Sequence, residues 1–275
     1  MARHTHPDAR RAARATNFNA LPHGRAMKVS EDHPRYRSLV VRERMSELVR
    51  EGVVAPTGLI AHGRGEAFDY LLGERTSPSA LEAERAAAAY LLEAKRPVIT
   101  VNGNAAGLCA EGLLSLARAV PAKVEVNLFH RTPERVEKVV SFLESVGGKD
   151  ILGRQQESVL EGIASDRALC AAEGIASADV VLIPLEDGDR AGALVKAGKI
   201  VLAIDLNPLS RTSVVSNVTA VDELTRAVPN IERFVRELKD APEERRRVIE
   251  SYDNQHTLRE ARETMRSVLQ GMGKT

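Results

Sequence analysis

The sequence contains little cysteine and few aromatic residues. Its 275 residues include two cysteines, Cys109 and Cys170. Two isolated thiols provide neither a disulfide framework nor a metal cluster, so a reducing compartment, the cytoplasm, is expected. Tryptophan is absent and aromatic residues make up 3% of the chain. This scarcity argues against a protein that binds single-stranded nucleic acid through base stacking.

Long hydrophobic runs and an excess of one charge are also missing. The longest apolar runs, such as Val180–Leu185, are far shorter than the roughly 20 residues of a membrane-spanning helix. Lysine and arginine number 39, against 38 for aspartate and glutamate. That near-balance excludes a general polyanion binder, which needs a basic excess over a whole domain. The 43% hydrophobic and 28% charged composition is that of an ordinary globular protein.

The positive charge that is present is concentrated in the first 27 residues. This segment has five arginines and one acidic residue, Asp8, so the rest of the chain carries a net negative charge. It lacks the hydrophobic core of a secretory signal, although transit peptides and nucleic-acid-binding arms share its composition. We predict a disordered basic extension over residues 1–27, or translation that starts at Met27, and a single α/β domain over residues 28–275.

From Pro97 onward, short apolar segments alternate with amphipathic ones. The apolar segments predict strands at Pro97–Val101, Lys123–Phe129, Ala178–Leu185, Lys199–Asp205 and Val218–Val221. Strands of this type, separated by helices, indicate a parallel sheet that is covered on both faces. We therefore predict a Rossmann-like three-layer α/β domain. Additional helices are expected before it, at Glu43–Glu51 and Pro78–Lys95, and after it, at Pro229–Lys239 and Pro242–Leu269.

Four polar segments are expected beyond the carboxyl ends of the strands, where open parallel sheets bind ligands. They are residues 62–65 (His-Gly-Arg-Gly), 102–104 (Asn-Gly-Asn), 186–190 (Glu-Asp-Gly-Asp-Arg) and 205–211 (Asp-Leu-Asn-Pro-Leu-Ser-Arg). Glycine, asparagine and aspartate tolerate unusual backbone angles and offer polar groups to a ligand, but ordinary turns use the same residues. Four such loops on one edge favour a binding site.

The first of these segments does not match a known phosphate motif. Phe68 stands where a dinucleotide fingerprint has its third glycine, and no P-loop is present. A phosphate can still approach the backbone beside Gly63 and Gly65, and Arg64 can bind its oxygens through a bidentate fork. The spacing supports a salt bridge from Arg64 to a carboxylate equally well. A hydrogen-bonded loop histidine is a sufficient explanation for His62.

The later segments also allow two interpretations. Asp205 ends a predicted strand, which suits contact with ribose hydroxyls, and Arg211 follows it at a distance that suits a phosphate. The same residues are typical of an Asx-turn followed by an exposed arginine. Asp187 and Asp189 suit either Mg²⁺ bound through water or an Asx-turn with Asp189 as the helix cap.

Seven segments of the chain carry a family resemblance. They are His33-Pro34-Arg35-Tyr36 with Ser38-Leu39 and Arg42-Glu43, Gly58–Leu71, Val101–Asn104, Asn127–Phe129 with Arg131-Thr132, Pro184–Arg190, Asp205–Arg211 and Tyr252-Asp253-Asn254. With these segments the sequence resembles the archaeal 4-phosphopantoate–β-alanine ligases, also called archaeal phosphopantothenate synthetases. The likeness extends from about His33 to about Leu258. Residues 1–27 lie outside it, and residues 150–177 diverge.

The resemblance implies a Rossmann-like fold, a cytoplasmic homodimer and an ATP-dependent reaction in coenzyme A biosynthesis. In this reaction, 4-phosphopantoate and β-alanine condense to 4'-phosphopantothenate through an acyl adenylate, with AMP and pyrophosphate as the other products. Mg²⁺ is expected to accompany ATP. The implied ATP contacts are Arg42, Arg64, Asp205, Leu206, Asn207, Arg211 and Thr212, together with the backbone of Glu223 and Leu224. Glu223 is assigned a backbone contact because the family often has asparagine there.

The residues with proposed roles in the reaction come from the same segments. Three are assigned to catalysis, His62, Arg64 and Asn104, because the reaction needs positioning and cationic stabilisation of phosphate and no covalent nucleophile. The residues assigned to substrate binding are Gly63, Gly65, Asn102, Gly103, Arg131, Asp187, Asp189 and Arg190. Two alternatives stay open: a nucleotide- or coenzyme-sensing module, and a nucleotide-dependent reductase, which the incomplete glycine fingerprint disfavours.

Overall fold

The computed structural model describes residues 30, 32–33, 35–163 and 165–272. The chain divides into two compact units, residues 1–44 and residues 45–275. Helix α1 (Tyr36–Glu51) contains the boundary between them. The predicted basic extension over residues 1–27 lies outside the described residues, and the prediction of a single domain over residues 28–275 stays a prediction. Within the described residues, no helix combines the length and the apolar character needed to span a membrane.

Two further helices lie between α1 and the sheet, and each is delimited by local sequence signals. Helix α2 (Pro56–Leu72) and helix α3 (Pro78–Glu93) both begin with proline, whose fixed φ suits a first turn. Gly73 ends α2 in the left-handed conformation with φ of 82°. Ser77 caps α3, since its hydroxyl accepts a hydrogen bond from the Ala80 amide at 3.1 Å. The predicted helix at Pro78–Lys95 is confirmed.

The five strands predicted from the sequence form one parallel sheet. The seven strands of the described chain are β1 (Pro97–Val101), β2 (Lys123–Val126), β3 (Ser158–Val159), β4 (Leu169–Cys170), β5 (Val180–Pro184), β6 (Ile200–Ile204) and β7 (Val218–Ala220). The large sheet has the order β2-β1-β5-β6-β7 with every pair parallel, while β3 and β4 form a small antiparallel pair. All residues of β1 and β5 are buried, as expected for a sheet covered on both faces.

Four helices lie between the strands of the large sheet: α4 (Gly103–Ala119), α5 (Pro133–Ser145), α6 (Gly188–Lys196) and α7 (Arg211–Val215). Three more follow the last strand: α8 (Leu224–Leu238), α9 (Pro242–Ser251) and α10 (Asn254–Met272). Helix α6 buries Ala191 and Leu194 in a cluster with side chains of β5 and β6, and α8 packs against α3 and α4. The predicted Rossmann-like three-layer fold is confirmed.

The structure corrects the predicted loop at residues 62–65, which lies inside α2. Glycine lowers helix stability by about 1 kcal/mol relative to alanine, so a Gly-x-Gly sequence favours a loop when only local preference is considered. Here the glycines allow close packing: a Cβ at Gly58 would lie 2.2 Å from Asn104 Oδ1, and one at Gly65 would lie 3.4 Å from Leu206 Cδ1. These tertiary contacts support the helix against its local preference.

The C-terminal helices also differ from their predicted bounds. Helix α8 begins earlier than predicted, at Leu224, and contains Pro229. The predicted helix at Pro242–Leu269 is divided at Tyr252 and Asp253 into α9 and α10. Asn254 at the start of α10 donates hydrogen bonds from Nδ2 to the Ser213 and Ser216 carbonyls at 2.9 and 3.0 Å. These bonds to α7 and its C-terminus are long-range contacts that helical periodicity does not reveal.

Candidate active site

The order of the strands reverses between β1 and β5. Strand β2 lies on one side of β1, whereas β5, β6 and β7 lie on the other, and open parallel sheets bind ligands at such a point. Asn102 spans the reversal, because its Nδ2 donates to the Pro184 and Leu185 carbonyls at 3.1 and 3.0 Å. Its Oδ1 accepts from the Ala105 amide at 2.9 Å and caps α4. One side chain therefore joins both strand ends to the first turn of α4.

A cavity of about 640 Å³ lies at this carboxyl edge. Its walls come from the segments after β1, β2, β5, β6 and β7, and from one face of α2. That volume lies within the usual range for small-molecule and cofactor sites, about 300–1,000 Å³. The expectation that polar segments gather at one edge of the sheet is confirmed for residues from all four segments, although the first is helical.

Helical periodicity decides which residues of α2 reach the cavity. Gly58, His62, Gly65 and Asp69 line it, at intervals of three or four residues that place them on one helix face. Arg64 also lines the cavity. Gly63 does not, and a Cβ built on it would meet no atom within 4 Å. The loop predicted for residues 62–65 therefore placed Gly63 in the site. In the helix, Gly63 lies on a face that does not line the cavity.

The Arg64 guanidinium is available to a ligand. Among the described residues it forms neither a hydrogen bond nor an ion pair, so the salt-bridge alternative is not what the structure contains. Its charge acts on Asp205. Burial raises the pKa of the Asp205 carboxyl, and the positive charge of Arg64 acts in the opposite direction. An arginine with no protein acceptor at a cavity wall is suited to binding phosphate.

The segment after β6 forms the Asx-turn that was one of the two predicted alternatives. Asp205 Oδ1 accepts from the Asn207 amide at 2.9 Å, and Oδ2 accepts from the Ser210 hydroxyl at 2.5 Å. Arg211 is exposed and pairs with Asp189 at 2.7 Å. Each residue from Asp205 to Asn207, and Arg211 and Thr212, lines the cavity. The turn therefore places this segment at the cavity wall without any ribose contact from Asp205.

The structure corrects the predicted cap of α6. Asp187, not Asp189, is the N-cap, because its Oδ1 accepts from the Arg190 amide at 3.0 Å. Asp187 also lines the cavity, whereas Asp189 lies in the first turn of α6 and does not. The helix begins at Gly188, two residues earlier than the start at Arg190 that a cap at Asp189 predicts. A Cβ at Gly188 would lie 2.3 Å from Arg211 Cβ, so glycine allows the starts of α6 and α7 to touch.

Two arginines assigned to substrate binding lie away from the cavity wall. Arg190 is 0% exposed and pairs with the buried Glu186, and burial lowers the pKa of its guanidinium. Arg131 donates from Nη2 to the Gly153 carbonyl at 2.8 Å. Neither lines the cavity, so we do not retain a direct substrate contact for either. Both support the segments that surround the site.

Arg167 is the cavity residue that sequence reasoning missed. Its buried side chain pairs with Glu186, lies 3.3 Å from Asp187 Oδ2 and lies 5.7 Å above the Phe129 ring. Burial, with Arg190 as a second cause, lowers the pKa of Arg167 to about 10. It belongs to the divergent stretch of residues 150–177, which has no periodicity or motif. No sequence signal distinguished it from the other arginines of the chain.

Of the remaining assigned residues, Asn104 and Glu223 use their side chains for hydrogen bonds within the protein. Asn104 lines the cavity and donates from Nδ2 to the Gly58 carbonyl at 2.8 Å. Gly103 lines it as well. Glu223 accepts from the Thr225 amide at 2.8 Å and so caps α8, while Glu223 and Leu224 both line the cavity. Arg42 belongs to the first unit, and its ATP contact stays a prediction.

The donor set at the cavity suits Mg²⁺ only as a companion of a phosphate. Among the described residues, no group of three or more histidine, cysteine, aspartate or glutamate side chains is arranged to hold a metal ion. Asp187 and Asp205 are carboxylates on the wall, but each is already engaged by a cap, a turn or an arginine. Mg²⁺ commonly keeps its waters and binds through substrate phosphates with one or two carboxylates, which these residues permit.

Comparisons with known proteins show the family to which this chain belongs. Residues 79–268 match the model of the phosphopantothenate/pantothenate synthetase family. A protein of Methanospirillum hungatei is 55% identical over 210 residues, 76% of this chain and 86% of that protein. One of Methanosarcina mazei is 50% identical over 234 residues, 85% of this chain and 92% of that protein. One of Thermococcus onnurineus is 48% identical over 234 residues, covering 84% and 90% respectively.

All three relatives carry the name 4-phosphopantoate–β-alanine ligase. The family match covers more than half of the chain, and the identities extend over most of both partners. The resemblance stated from the sequence motifs is therefore confirmed. This chain belongs to the phosphopantothenate/pantothenate synthetase family.

Proposed function

We propose that this chain is an ATP-dependent ligase that joins 4-phosphopantoate to β-alanine in coenzyme A biosynthesis. The products are 4'-phosphopantothenate, AMP and pyrophosphate. The observation that supports this proposal most directly is the cavity at the strand-order reversal, where the guanidinium of Arg64, which has no partner among the described residues, lines a nucleotide-sized space. The family membership and the names of the relatives support the same substrates.

The nucleotide occupies the side of the cavity formed by the segments after β6 and β7. Asp205, Leu206 and Asn207 contribute one wall, and the backbone of Glu223 and Leu224 contributes another. Because the Glu223 side chain caps α8, the contact proposed for Glu223 and Leu224 is one from the backbone, as the family resemblance implies. Arg64 and Arg211 bind the phosphates, with Thr212 beside them, and Arg42 adds a further contact.

The anionic substrate occupies the side formed by the segments after β1, β2 and β5. Gly103, the first residue of α4, offers its backbone amide there, Asn102 holds that turn in place, and Gly65 and Asp187 border the same space. Arg167 supplies a buried guanidinium on this side. A substrate that carries both a carboxylate and a phosphate is attracted to a site with several guanidinium groups.

The reaction follows two displacements. The pantoate carboxylate attacks the α-phosphate of ATP, which releases pyrophosphate and leaves an acyl adenylate. The β-alanine amine then attacks the acyl carbon and releases AMP. Arg64 and Arg211 stabilise charge on the phosphate, while His62 and Asn104 orient the reacting groups. When bound, Mg²⁺ neutralises triphosphate charge through the phosphate oxygens and its waters.

Product analysis tests this function. The full chain is incubated with ATP, 4-phosphopantoate and β-alanine, and nucleotides and phosphates are separated. AMP and pyrophosphate support the ligase, ADP and phosphate overturn the adenylate route, and no reaction favours a nucleotide- or coenzyme-sensing module. Labelling the pantoate carboxylate with ¹⁸O sharpens the test, because an adenylate transfers one labelled oxygen to AMP.

We further propose that the chain acts as a cytoplasmic homodimer with Mg²⁺-bound ATP. These points follow from the family resemblance. Light scattering of the purified protein measures the oligomeric state, and a monomer at micromolar concentration contradicts the dimer. Titration with Mg²⁺ at fixed ATP tests the metal, since turnover without any divalent cation contradicts it.

A further inference from the structure

Two carboxyl groups lie side by side in the core, outside the ligand cavity. Glu84 of α3 and Asp222, which follows β7, are both 0% exposed, and their carboxyl groups are close enough to interact directly. Neither lines the cavity. Two ionised carboxylates in contact within an apolar environment repel each other and lose hydration, so such a pair holds a proton more tightly than an exposed acid.

Asp222 is the hydrogen-bond acceptor of the pair because donors surround it. Its Oδ2 accepts from the Thr76 hydroxyl at 2.5 Å. Its Oδ1 accepts from Arg226 Nε at 2.9 Å and from the Glu223 amide at 2.7 Å. The same guanidinium continues to α2, where Nη1 and Nη2 bind the two oxygens of Asp69 at 3.1 and 2.5 Å. Asp69 lines the cavity.

Glu84 has the opposite surroundings. As an ionised group it has no hydrogen-bond partner for either buried oxygen within the described residues. Asn230 and Arg233 of α8 face it and favour ionisation, but burial and the neighbouring Asp222 outweigh them and raise the pKa of Glu84 to about 9. When Glu84 is protonated, its own O–H group can donate a hydrogen bond to the Asp222 carboxylate.

We propose that Glu84 is a positioning residue that keeps its proton and donates a hydrogen bond to Asp222, so that Asp222 orients Arg226 and Arg226 holds Asp69 at the cavity wall. The consequence for nucleotide binding rests on the function proposed above. Helix α2 carries Arg64 as well as Asp69, and Asp222 also holds the amide of Glu223. Helix α2 and the segment after β7, which both line the cavity, are therefore linked to one buried proton.

The inference predicts how stability changes with pH. The pKa of Glu84 in the folded protein, about 9, lies above the ordinary value of 4.5. Its contribution to stability is therefore complete below about pH 4.5 and is lost as pH rises towards and through about 9. Glutamine at this position cannot ionise and still donates to Asp222. The melting temperature of Glu84→Gln minus that of wild type should thus increase steadily from about pH 5 to about pH 9.

Thermal unfolding across that range, without any ligand, is the first measurement. Glu82→Gln is the matched control, because Glu82 is an exposed residue of the same helix. We expect a pH-dependent difference for Glu84→Gln and none for Glu82→Gln. A difference for Glu84→Gln that does not change with pH overturns the inference. Since no substrate is present, this result is independent of whether the protein proves to be a ligase.

Nucleotide affinity, measured by calorimetry with ATP at neutral pH, is the second measurement. We expect Glu84→Gln to bind like wild type and Glu84→Ala to bind about tenfold or more weakly, because misalignment of a binding wall is costly. Should Glu84→Ala not fold, Asp69→Asn breaks the last link without disturbing the buried pair, and weaker ATP binding is again expected. Wild-type affinity in both Glu84→Ala and Asp69→Asn overturns the positioning role.

Discussion

Among the residues of the cavity, Arg64 has the clearest chemistry because its guanidinium has no acceptor among the described residues. We predict that Arg64→Ala lowers the rate of AMP formation by about 30- to 1,000-fold, since one charge-assisted contact to a developing phosphate charge is worth about 2–4 kcal/mol. The side chain is exposed, so the free energy of unfolding should hardly change. Steady-state kinetics and denaturant unfolding measure the two effects.

The matched control is Arg236→Ala. Arg236 is exposed on α8 and pairs with Glu232 at 2.7 Å on the same helix, and such surface pairs contribute about 0–1 kcal/mol. Its loss should leave both turnover and stability close to wild type. If Arg64→Ala turns over like Arg236→Ala, the assignment of Arg64 to phosphate is wrong.

Substitutions at Asp187 test whether its carboxylate has a structural or a catalytic role. Its Oδ1 caps α6 and its Oδ2 lies beside Arg167, so both oxygens are engaged. We predict that Asp187→Ala costs about 1 kcal/mol of stability through loss of the cap, while Asp187→Asn retains it. Turnover should follow stability and recover in Asp187→Asn. Normal stability with a large loss of turnover in Asp187→Asn would instead indicate that a ligand or metal needs the carboxylate.

At the residue level, the sequence predicted the position of cavity residues that follow a strand better than that of arginines in other segments. Asp205, Asn207 and Arg211 follow a strand directly, so their position is set by chain connectivity. Arg167 was missed and Arg190 was misassigned because charge and loop position do not tell whether a guanidinium faces a cavity or a buried carboxylate. That outcome depends on side-chain packing between segments distant in the sequence.

At the element level, close helix packing depends on a few glycines. A Cβ at Gly103, the first residue of α4, would lie 2.4 Å from the Val53 carbonyl oxygen. We predict that Gly103→Ala lowers the free energy of unfolding by about 1–3 kcal/mol, because the backbones must separate. The shift also displaces Asn102 and Asn104, so turnover should fall more than stability alone explains. Denaturant titration and kinetics measure both.

Gly192→Ala provides the control for that substitution. Gly192 lies inside α6, and a Cβ there would meet no atom within 4 Å. Alanine should therefore stabilise the helix by about 0.5–1 kcal/mol. Opposite signs for the two variants are the expected result. Equal effects of the two substitutions on stability would show that the close approach of Val53 is not the reason for glycine at position 103.

The secondary structure was predictable where local signals and packing agree. The strand cores, the Thr132-Pro133 start of α5 and the Ser77-Pro78 start of α3 follow from apolar runs and capping chemistry. The first part of helix α2, including residues 62–65, and the break before α10 were not predicted, because both depend on contacts to other elements. In α2 tertiary packing outweighs the cost of its glycines, and at Asn254 two carbonyls near α7 bind the side chain.

At the level of the whole molecule, nucleotide binding should appear as stabilisation of the fold. A ligand present at about 100 times its dissociation constant raises the free energy of unfolding by about 2.7 kcal/mol. For a chain of this size we expect ATP to raise the melting temperature by several degrees, whereas NADH should leave it unchanged. Thermal unfolding with each nucleotide measures this. A shift with NADH and none with ATP would favour the reductase over the ligase.

The sequence by itself determined the alternating strands and helices, the edge of the sheet where the polar segments gather, and the family. These properties follow from local hydrophobic periodicity, chain connectivity and contiguous motifs, all of which are present in short segments. Only the tertiary structure decided that residues 62–65 are helical, that Arg167 reaches the cavity, and that Glu84 meets Asp222. Each of these depends on desolvation and packing between distant segments, and the free energy of such contacts does not exist until the chain has folded.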